Sequence, residues 1–148
     1  MMTDADTRAR AVAERLIAAE GTAPVWDVRL DEAREGYARI SMTIRADMLN
    51  GHRTAHGGMI FALADSAFAY ACNSRNDVTV AQQASILFLA PAREGDVLVA
   101  EAQEQALVGR AGAYHVSVRN QQGVAIAEFQ GLSRTTGGVV IPIEESKS

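Results

Sequence analysis

The chain has 148 residues, of which 48% are hydrophobic and 22% charged, a composition typical of one globular domain and too apolar for a disordered chain. Its 14 basic and 18 acidic residues give a net charge of −4, which argues against a nucleic-acid partner because such surfaces need a basic face. The single cysteine, Cys72, excludes an intrachain disulfide and a cysteine-rich metal site. Its charged N-terminal residues lack the apolar run of a secretory signal, so we expect a cytoplasmic protein without a membrane partner.

The first third of the chain changes from a helical to an extended pattern. Residues 4–20 predict an outer helix with a narrow apolar stripe. Alternation of apolar and polar residues then predicts a hairpin of two strands, 25–33 and 37–46. Residues 47–56 show no period and predict a loop.

The second part of the chain begins with a strongly apolar segment, which four predicted strands follow. Residues 57–74 predict a helix that is apolar around most of its circumference, and such a helix is buried inside a fold. The residues from Gly137 onward predict a frayed tail. Between these two segments, turn signals separate four predicted strands, at about 78–89, 96–108, 112–120 and 124–135. The sequence therefore predicts a single α+β domain over 1–148, with an antiparallel sheet wrapped around the central helix.

Asp65 is the only charged residue of this central helix, and no basic residue lies three or four positions away. A buried carboxylate without a partner is costly and shifts its pKa or acquires hydrogen bonds. Two interpretations remain open at this point. Asp65 either reaches a cleft or subunit interface and pairs with a distant arginine, or it is catalytic, because carboxyls with shifted pKa values cluster at active sites.

The same helix begins with His56, Gly57 and Gly58. The first turn of a helix has free N–H groups and the positive end of the helix dipole, so the Gly57 N–H could form an oxyanion hole. The alternative is that the glycines only allow close packing. Gly57 and Asp65 are about 12 Å apart along a helix, too far to act on one carbonyl. A catalytic role for both therefore predicts a symmetric dimer whose two sites each combine Gly57 of one protomer with Asp65 of the other.

Other candidate groups give weaker signals. His52 and His56 are four residues apart but lie in a loop without further ligands, so we predict no metal site. Ser66 is not in a GxSxG motif, His115 lies in a predicted strand, and Cys72 lies on an apolar helix face. The phosphate-loop and dinucleotide-binding patterns are absent from the sequence.

Three stretches together resemble the hotdog-fold acyl-CoA thioesterases, and among them most of all the thioesterases of phenylacetate degradation. They are the runs LNGH (49–52), AHGG (55–58) and LADSAFAYA (63–71), and the resemblance covers about 25–137. It implies hydrolysis of phenylacetyl-CoA or hydroxyphenylacetyl-CoA to the free acid and CoA, without a metal or organic cofactor. It also implies homodimers with shared sites that pair into tetramers.

The resemblance also implies roles for individual residues. Asp65 is the nucleophile or general base, Gly57 polarises the thioester carbonyl, His56 supports that loop, and Asn50 places water or substrate. Some relatives have a catalytic hydroxyl on the strand after the helix, where this chain has Ala81 and, nearby, Ser85. The substrate-binding positions that we assign are Gly58, Ser66, Gly109, Arg110 and Arg134.

The two arginines are assigned to the CoA phosphates, which arginine can bind in a bidentate manner. The alternative is that Arg110 and Arg134 are solvated surface charges. Two other functions remain open for the chain as a whole. One is an acyl-CoA dehydratase or hydratase that uses His56 with an acid, and the other is a non-catalytic acyl-CoA sensor.

Overall fold

A computed structural model of the chain describes residues 2–143, in which three α-helices accompany one six-stranded antiparallel sheet. The helices are α1 (Asp4–Ala19), α2 (Thr22–Trp26) and α3 (Gly57–Cys72). The strands are β1 (Arg29–Arg34), β2 (Tyr37–Thr43), β3 (Asp77–Phe88), β4 (Val97–Val108), β5 (Ala111–Arg119) and β6 (Ala125–Val139), in the sheet order β1-β2-β4-β5-β6-β3. Across residues 2–143, every helix is too short or too polar to cross a membrane.

The predicted central helix is α3, which packs against β2, β4, β5, β6 and β3. Its sheet-facing side is made of fully buried residues such as Leu63, Ala67 and Phe68. The Phe68 ring lies so close to β6 that a Cβ on Gly131 would come within 2.9 Å of it. Small residues on the helix and this glycine on the strand allow the sheet to curl tightly around α3.

The prediction for 25–33 is wrong in its first part. Thr22–Trp26 forms the short helix α2, because Pro24 is acceptable in a first helical turn and Asp27 ends the helix in a left-handed conformation with φ 52°. The strand begins only at Arg29. Over so few residues, apolar side chains next to charged ones are compatible with a helix as well as with a strand, so the pattern did not distinguish the two.

Two other predicted boundaries also need correction. The strand predicted over 37–46 ends at Thr43, and a 3-10 helix follows at Ala46–Met48. The predicted tail from Gly137 is wrong for its first residues, because β6 continues to Val139, which pairs with Asp77 of β3. Residues 144–148 of that tail lie outside the described residues.

Candidate active site

The N-terminal end of α3 presents a free backbone donor. His56 is the N-cap, and its Nδ1 accepts a hydrogen bond from the Gly58 N–H at 2.9 Å. The His56 carbonyl accepts from the N–H groups of Met59 and Ile60. Among residues 2–143, nothing accepts a hydrogen bond from the Gly57 N–H. The predicted oxyanion donor is therefore available for a ligand, at the positive end of the helix dipole.

Asn50 organises the loop that precedes this helix. Its Oδ1 accepts from the backbone N–H groups of His52 at 2.9 Å and Thr54 at 3.2 Å. Its Nδ2 donates to Thr54 Oγ1 at 3.0 Å, which leaves a second amide hydrogen for a ligand. Asn50 and Gly57 line the same cavity of about 420 Å³. The structure thus brings together two of the predicted catalytic residues.

Both glycines at the helix start are in close contact with a side chain. A Cβ on Gly57 would lie 3.0 Å from Cζ of Phe88, the last residue of β3, whose ring closes one side of the cavity. A Cβ on Gly58 would lie 3.0 Å from Nδ1 of His56 and would disturb the cap. The two glycines therefore allow close packing at the helix start, and this packing is compatible with a free Gly57 donor.

Asp65 lies two turns further along α3, on the side that faces away from the sheet. Its side chain is half-buried, and within residues 2–143 it has neither a hydrogen-bond donor nor a basic partner. Burial therefore raises the pKa of Asp65 above its usual range. The interpretation in which Asp65 pairs with a distant arginine finds no such arginine within this chain's described residues. An uncompensated carboxylate beside a cavity favours the catalytic interpretation.

The cavity beside Asp65 has a volume of about 360 Å³ and lies between α3 and the two N-terminal helices. Leu16 of α1 and Trp26 of α2 line it, opposite Asp65 and Ser66. The Ser66 hydroxyl donates to the carbonyl of Ala62 at 2.8 Å and keeps its lone pairs for a ligand. Sequence reasoning missed the contribution of Leu16 and Trp26, although Trp26 is the only tryptophan in the chain.

The two halves of the predicted site lie in different cavities of one protomer. Asn50 and Gly57 line the first cavity, and Asp65 and Ser66 line the second. The eight residues between Gly57 and Asp65 rise by about 12 Å along a helix. One protomer therefore does not place its oxyanion donor and its carboxylate around one reacting carbon.

Arg110 and Arg134 are neighbours at the far end of the sheet. Gly109 makes the β4–β5 turn with φ 58°, and the Arg110 carbonyl accepts from the Thr135 N–H at 2.8 Å. Arg134 pairs with Val80 of β3, whereas Phe88 lies eight residues further along that strand, or about 26 Å. Both arginines are exposed, and neither lies near the Gly57 of its own protomer.

The remaining candidate groups lie elsewhere in the protein. His115 pairs with Glu128 at 2.7 Å, and Ser85 is exposed on β3. Burial raises the pKa of the Cys72 thiol to about 12, which makes it a poor nucleophile. Over residues 2–143, no cluster of three or more histidine, cysteine or acidic residues has the arrangement of a metal site.

Comparison with known proteins identifies the family. Residues 52–127, which contain α3, β3, β4, β5 and the start of β6, match the thioesterase superfamily model. The chain belongs to this superfamily of thioester hydrolases and has the hotdog fold.

Several individual proteins of known name or structure are similar to this chain. The chain is 46% identical to the acyl-coenzyme A thioesterase PaaI of Escherichia coli over 106 residues, or 72% of this chain and 76% of PaaI. The structure of E. coli PaaI, a protein of the phenylacetic acid degradation operon, matches with a TM-score of 0.90 and 38% identity, covering 92% of this chain and 99% of that one. A mutant of the phenylacetic acid degradation protein PaaI from Thermus thermophilus matches with a TM-score of 0.76 and 33% identity, covering 79% of this chain and 100% of that one. These findings confirm the family resemblance that the three sequence runs indicated.

Proposed function

We propose that the chain is an acyl-CoA thioesterase that hydrolyses phenylacetyl-CoA or hydroxyphenylacetyl-CoA to the free acid and CoA. The observation that carries this proposal is that α3 holds two groups suited to the reaction. Within residues 2–143, the Gly57 N–H has no hydrogen-bond acceptor and the Asp65 carboxylate has no basic partner, and each group lies beside its own cavity. The similarity to an acyl-coenzyme A thioesterase of E. coli supports the same reaction.

In the proposed reaction, the thioester carbonyl oxygen accepts a hydrogen bond from the Gly57 N–H, where the helix dipole stabilises its developing negative charge. Asp65 of the partner subunit either takes a proton from water, whose oxygen adds to the carbonyl carbon, or attacks that carbon directly. In the second case, water afterwards hydrolyses the mixed anhydride between the acyl group and Asp65, which releases the free acid and restores the carboxylate. The C–S bond breaks and the CoA thiolate leaves with its electron pair. Because a thiolate is a good leaving group, the reaction needs no strong acid, and we propose that it needs no metal or organic cofactor.

The proposed dimer forms through β3, one edge of the sheet. The other edge strand, β1, has four charged residues among its six (Arg29, Asp31, Glu32 and Arg34), and exposed charges protect an edge from pairing. In contrast, residues 78–88 of β3 have no charge, and Val80, Leu87 and Phe88 are 48%, 61% and 51% exposed. A long, apolar edge of this kind is suited to pair with a second copy of itself.

Antiparallel pairing of β3 with its copy also supports a shared site. It places the Val80 end of one strand beside the Phe88 end of the other, and Arg134 pairs with Val80 while Phe88 touches Gly57. Arg110 and Arg134 would then lie near the partner's Gly57, where they could bind CoA phosphates. Light scattering measures the dimer, and it also tests the tetramer that the family resemblance implies.

We also propose a cytoplasmic location. The only cysteine, Cys72, is buried, and a chain without disulfides fits a reducing compartment. Fluorescence of a tagged full-length chain in the source cells tests this proposal.

Thiol release from a panel of acyl-CoA thioesters tests the reaction. The panel contains phenylacetyl-, hydroxyphenylacetyl-, benzoyl-, short-chain and long-chain acyl-CoA, and a thiol-reactive dye follows free CoA. We expect release that is fastest with the arylacetyl thioesters. A changed double bond without thiol release would indicate a dehydratase or hydratase, and tight binding without any turnover would indicate a sensor.

Mixed dimers test whether the two protomers share each site. We expect the variants Asp65→Asn and Gly57→Pro, which lacks the amide hydrogen, to be nearly inactive alone. A heterodimer of the two, purified through different affinity tags, should recover about half the wild-type kcat per dimer, because one of its two sites has both native residues. If heterodimers stay inactive while their mass and fold are native, Gly57 and Asp65 do not act across protomers.

A further inference from the structure

Thr54 and Asn50 face each other across the turn that leads to α3, and two sets of hydrogen bonds join them. The first set uses only the backbone groups of Thr54. Its carbonyl accepts from the Asn50 N–H at 2.8 Å, and its N–H donates to Asn50 Oδ1 at 3.2 Å. The second set joins the Thr54 hydroxyl to the Asn50 side-chain amide. The proposed reaction gives this hydroxyl no role.

The backbone of the turn is held without the Thr54 hydroxyl. Besides the first set of bonds, the Arg53 N–H donates to the Asn50 carbonyl at 3.0 Å, and a β-bridge between Leu49 and Ala55 closes the turn. Arg53 has φ 61°, a left-handed conformation that a residue other than glycine keeps only where its surroundings fix the backbone. Loss of the hydroxyl alone should therefore leave the shape of this turn unchanged.

The hydroxyl instead fixes the direction of the Asn50 amide hydrogens. Asn50 Oδ1 accepts from two backbone N–H groups, which determines the side of the amide on which the oxygen lies. The Thr54 hydroxyl donates to this Oδ1 at 3.3 Å, and it accepts one hydrogen of Asn50 Nδ2 at 3.0 Å. Because the amide is planar, a first hydrogen held in this way leaves the second one a single direction.

The second hydrogen is available inside the cavity that contains the oxyanion donor. Asn50, Thr54 and Gly57 all line this cavity of about 420 Å³. Among residues 2–143, Thr54 Oγ1 is the one acceptor that Asn50 Nδ2 contacts. Asn50 and Thr54 are only partly exposed, so water competes less for the bond between them than it would at an open surface. A ligand oxygen beside the Gly57 N–H can therefore accept this second hydrogen.

We propose that Thr54 is a positioning residue, whose hydroxyl directs the free Asn50 amide hydrogen toward the carbonyl oxygen of the substrate. This inference rests on the proposed thioesterase function. Without the hydroxyl, Asn50 Nδ2 loses its acceptor, and its two hydrogens are no longer held in one orientation. The hydrogen bond from Asn50 to the substrate then forms for only part of the time. Thr54 thus acts through Asn50 and not on the reacting atoms.

Two substitutions of Thr54 separate its hydroxyl from its shape. Thr54→Val removes the hydroxyl and keeps a branched side chain, whereas Thr54→Ser keeps the hydroxyl. Thiol release should give a kcat/KM about tenfold below the wild type for Thr54→Val, as for one lost hydrogen bond, and within about threefold of it for Thr54→Ser. The control is Thr7→Val in α1, which also loses a hydroxyl that donates to a backbone carbonyl, at 3.1 Å, and should keep wild-type kinetics.

The background Asn50→Asp distinguishes positioning from a structural role. The new carboxylate still accepts from the N–H groups of His52 and Thr54, but it has no hydrogen to donate. In this background, Thr54→Val should lower kcat/KM by less than about twofold further, because no amide hydrogen is left to direct. A structural role would produce the same loss, and the same fall in Tm, in both backgrounds. Equal tenfold losses in the two backgrounds, or equal losses in Thr54→Val and Thr54→Ser, would overturn the proposal.

Failure of this proposal is distinguishable from failure of the proposed function. Calorimetric titration uses a phenylacetyl-CoA analogue in which a methylene group replaces the thioester sulfur, so that the carbonyl oxygen remains and no turnover is needed. Thr54→Val should bind this analogue about fivefold more weakly than the wild type does. Wild-type turnover and binding in Thr54→Val overturn the role of Thr54 and keep the thioesterase. If the wild type hydrolyses no thioester, the thioesterase proposal fails, and the difference in binding still decides whether Thr54 positions Asn50.

Discussion

Asp65→Asn is expected to lower kcat for arylacetyl-CoA hydrolysis by about 10³-fold or more, because the amide neither accepts the water proton nor attacks the carbonyl. KM should change far less, since the substituted side chain has nearly the same size and the Gly57 donor is untouched. Steady-state thiol release measures both constants. The control Asp4→Asn, in the exposed first turn of α1, should keep wild-type kinetics. A near-normal kcat in Asp65→Asn would remove Asp65 from the mechanism.

The same substitution should not weaken the fold. Burial raises the pKa of Asp65 above its ordinary value of 3.8, so the folded state holds this proton more tightly than the unfolded state. The contribution of Asp65 to the free energy of unfolding therefore falls as the pH rises from 3.8 through the folded pKa. Asparagine has no charge to desolvate. We expect the Tm of Asp65→Asn at pH 7 to equal or exceed that of the wild type, measured by thermal unfolding.

Gly57→Pro should lower kcat by about 10²- to 10³-fold, because it removes the one N–H that we assign to the oxyanion. The fold should tolerate it. Proline is favoured at the first position of a helix, and His56, with ψ 132°, already has the extended conformation that a residue before proline requires. Circular dichroism and the Tm of the variant check that α3 is intact.

Gly57→Ala is the matched control for this substitution. It adds a Cβ that must displace the exposed Phe88 ring at 3.0 Å, as proline does, but it keeps the N–H. Its loss of kcat should be at least about tenfold smaller than that of Gly57→Pro. If both variants lose the same activity, crowding at Phe88 explains the loss, and Gly57 is not the oxyanion donor.

Much of the fold follows from local sequence patterns. The apolar, alanine-rich run of α3 favours a buried helix, and the alternation of apolar and polar residues favours strands. The predicted bounds of these elements agree with the structure to within a few residues. The prediction was wrong at 25–28, which α2 and its C-cap occupy in part, and at the end of β6. In both places the secondary structure depends on residues distant in the sequence. Thr22 and Trp26 of α2 line the cavity beside Asp65, and Val139 pairs with Asp77 of β3 across the sheet.

The candidate site also contains some features that local sequence patterns predict and others that they do not. An unpaired carboxylate on an apolar helix and a glycine pair at its start are visible in the sequence, because burying a charge or placing glycine in a helix has a local cost. The hydrogen bond between Glu20 and Tyr70, which both line the cavity beside Asp65, joins residues fifty positions apart, and no local pattern indicates it.

The sequence alone indicated the family, through its resemblance in three short runs, and it predicted the central helix and the candidate residues Asp65 and Gly57, because each of these depends on one element or one short motif. Three features emerge only from the folded chain: Gly57 and Asp65 line separate cavities, Phe88 closes over Gly57, and the cavity beside Asp65 is walled in part by residues of α1 and α2. Cavities form between elements that are brought together by burial of apolar surface. The hydrophobic effect has no preferred direction and does not depend on the separation of residues along the chain, so no local sequence pattern predicts where these cavities form.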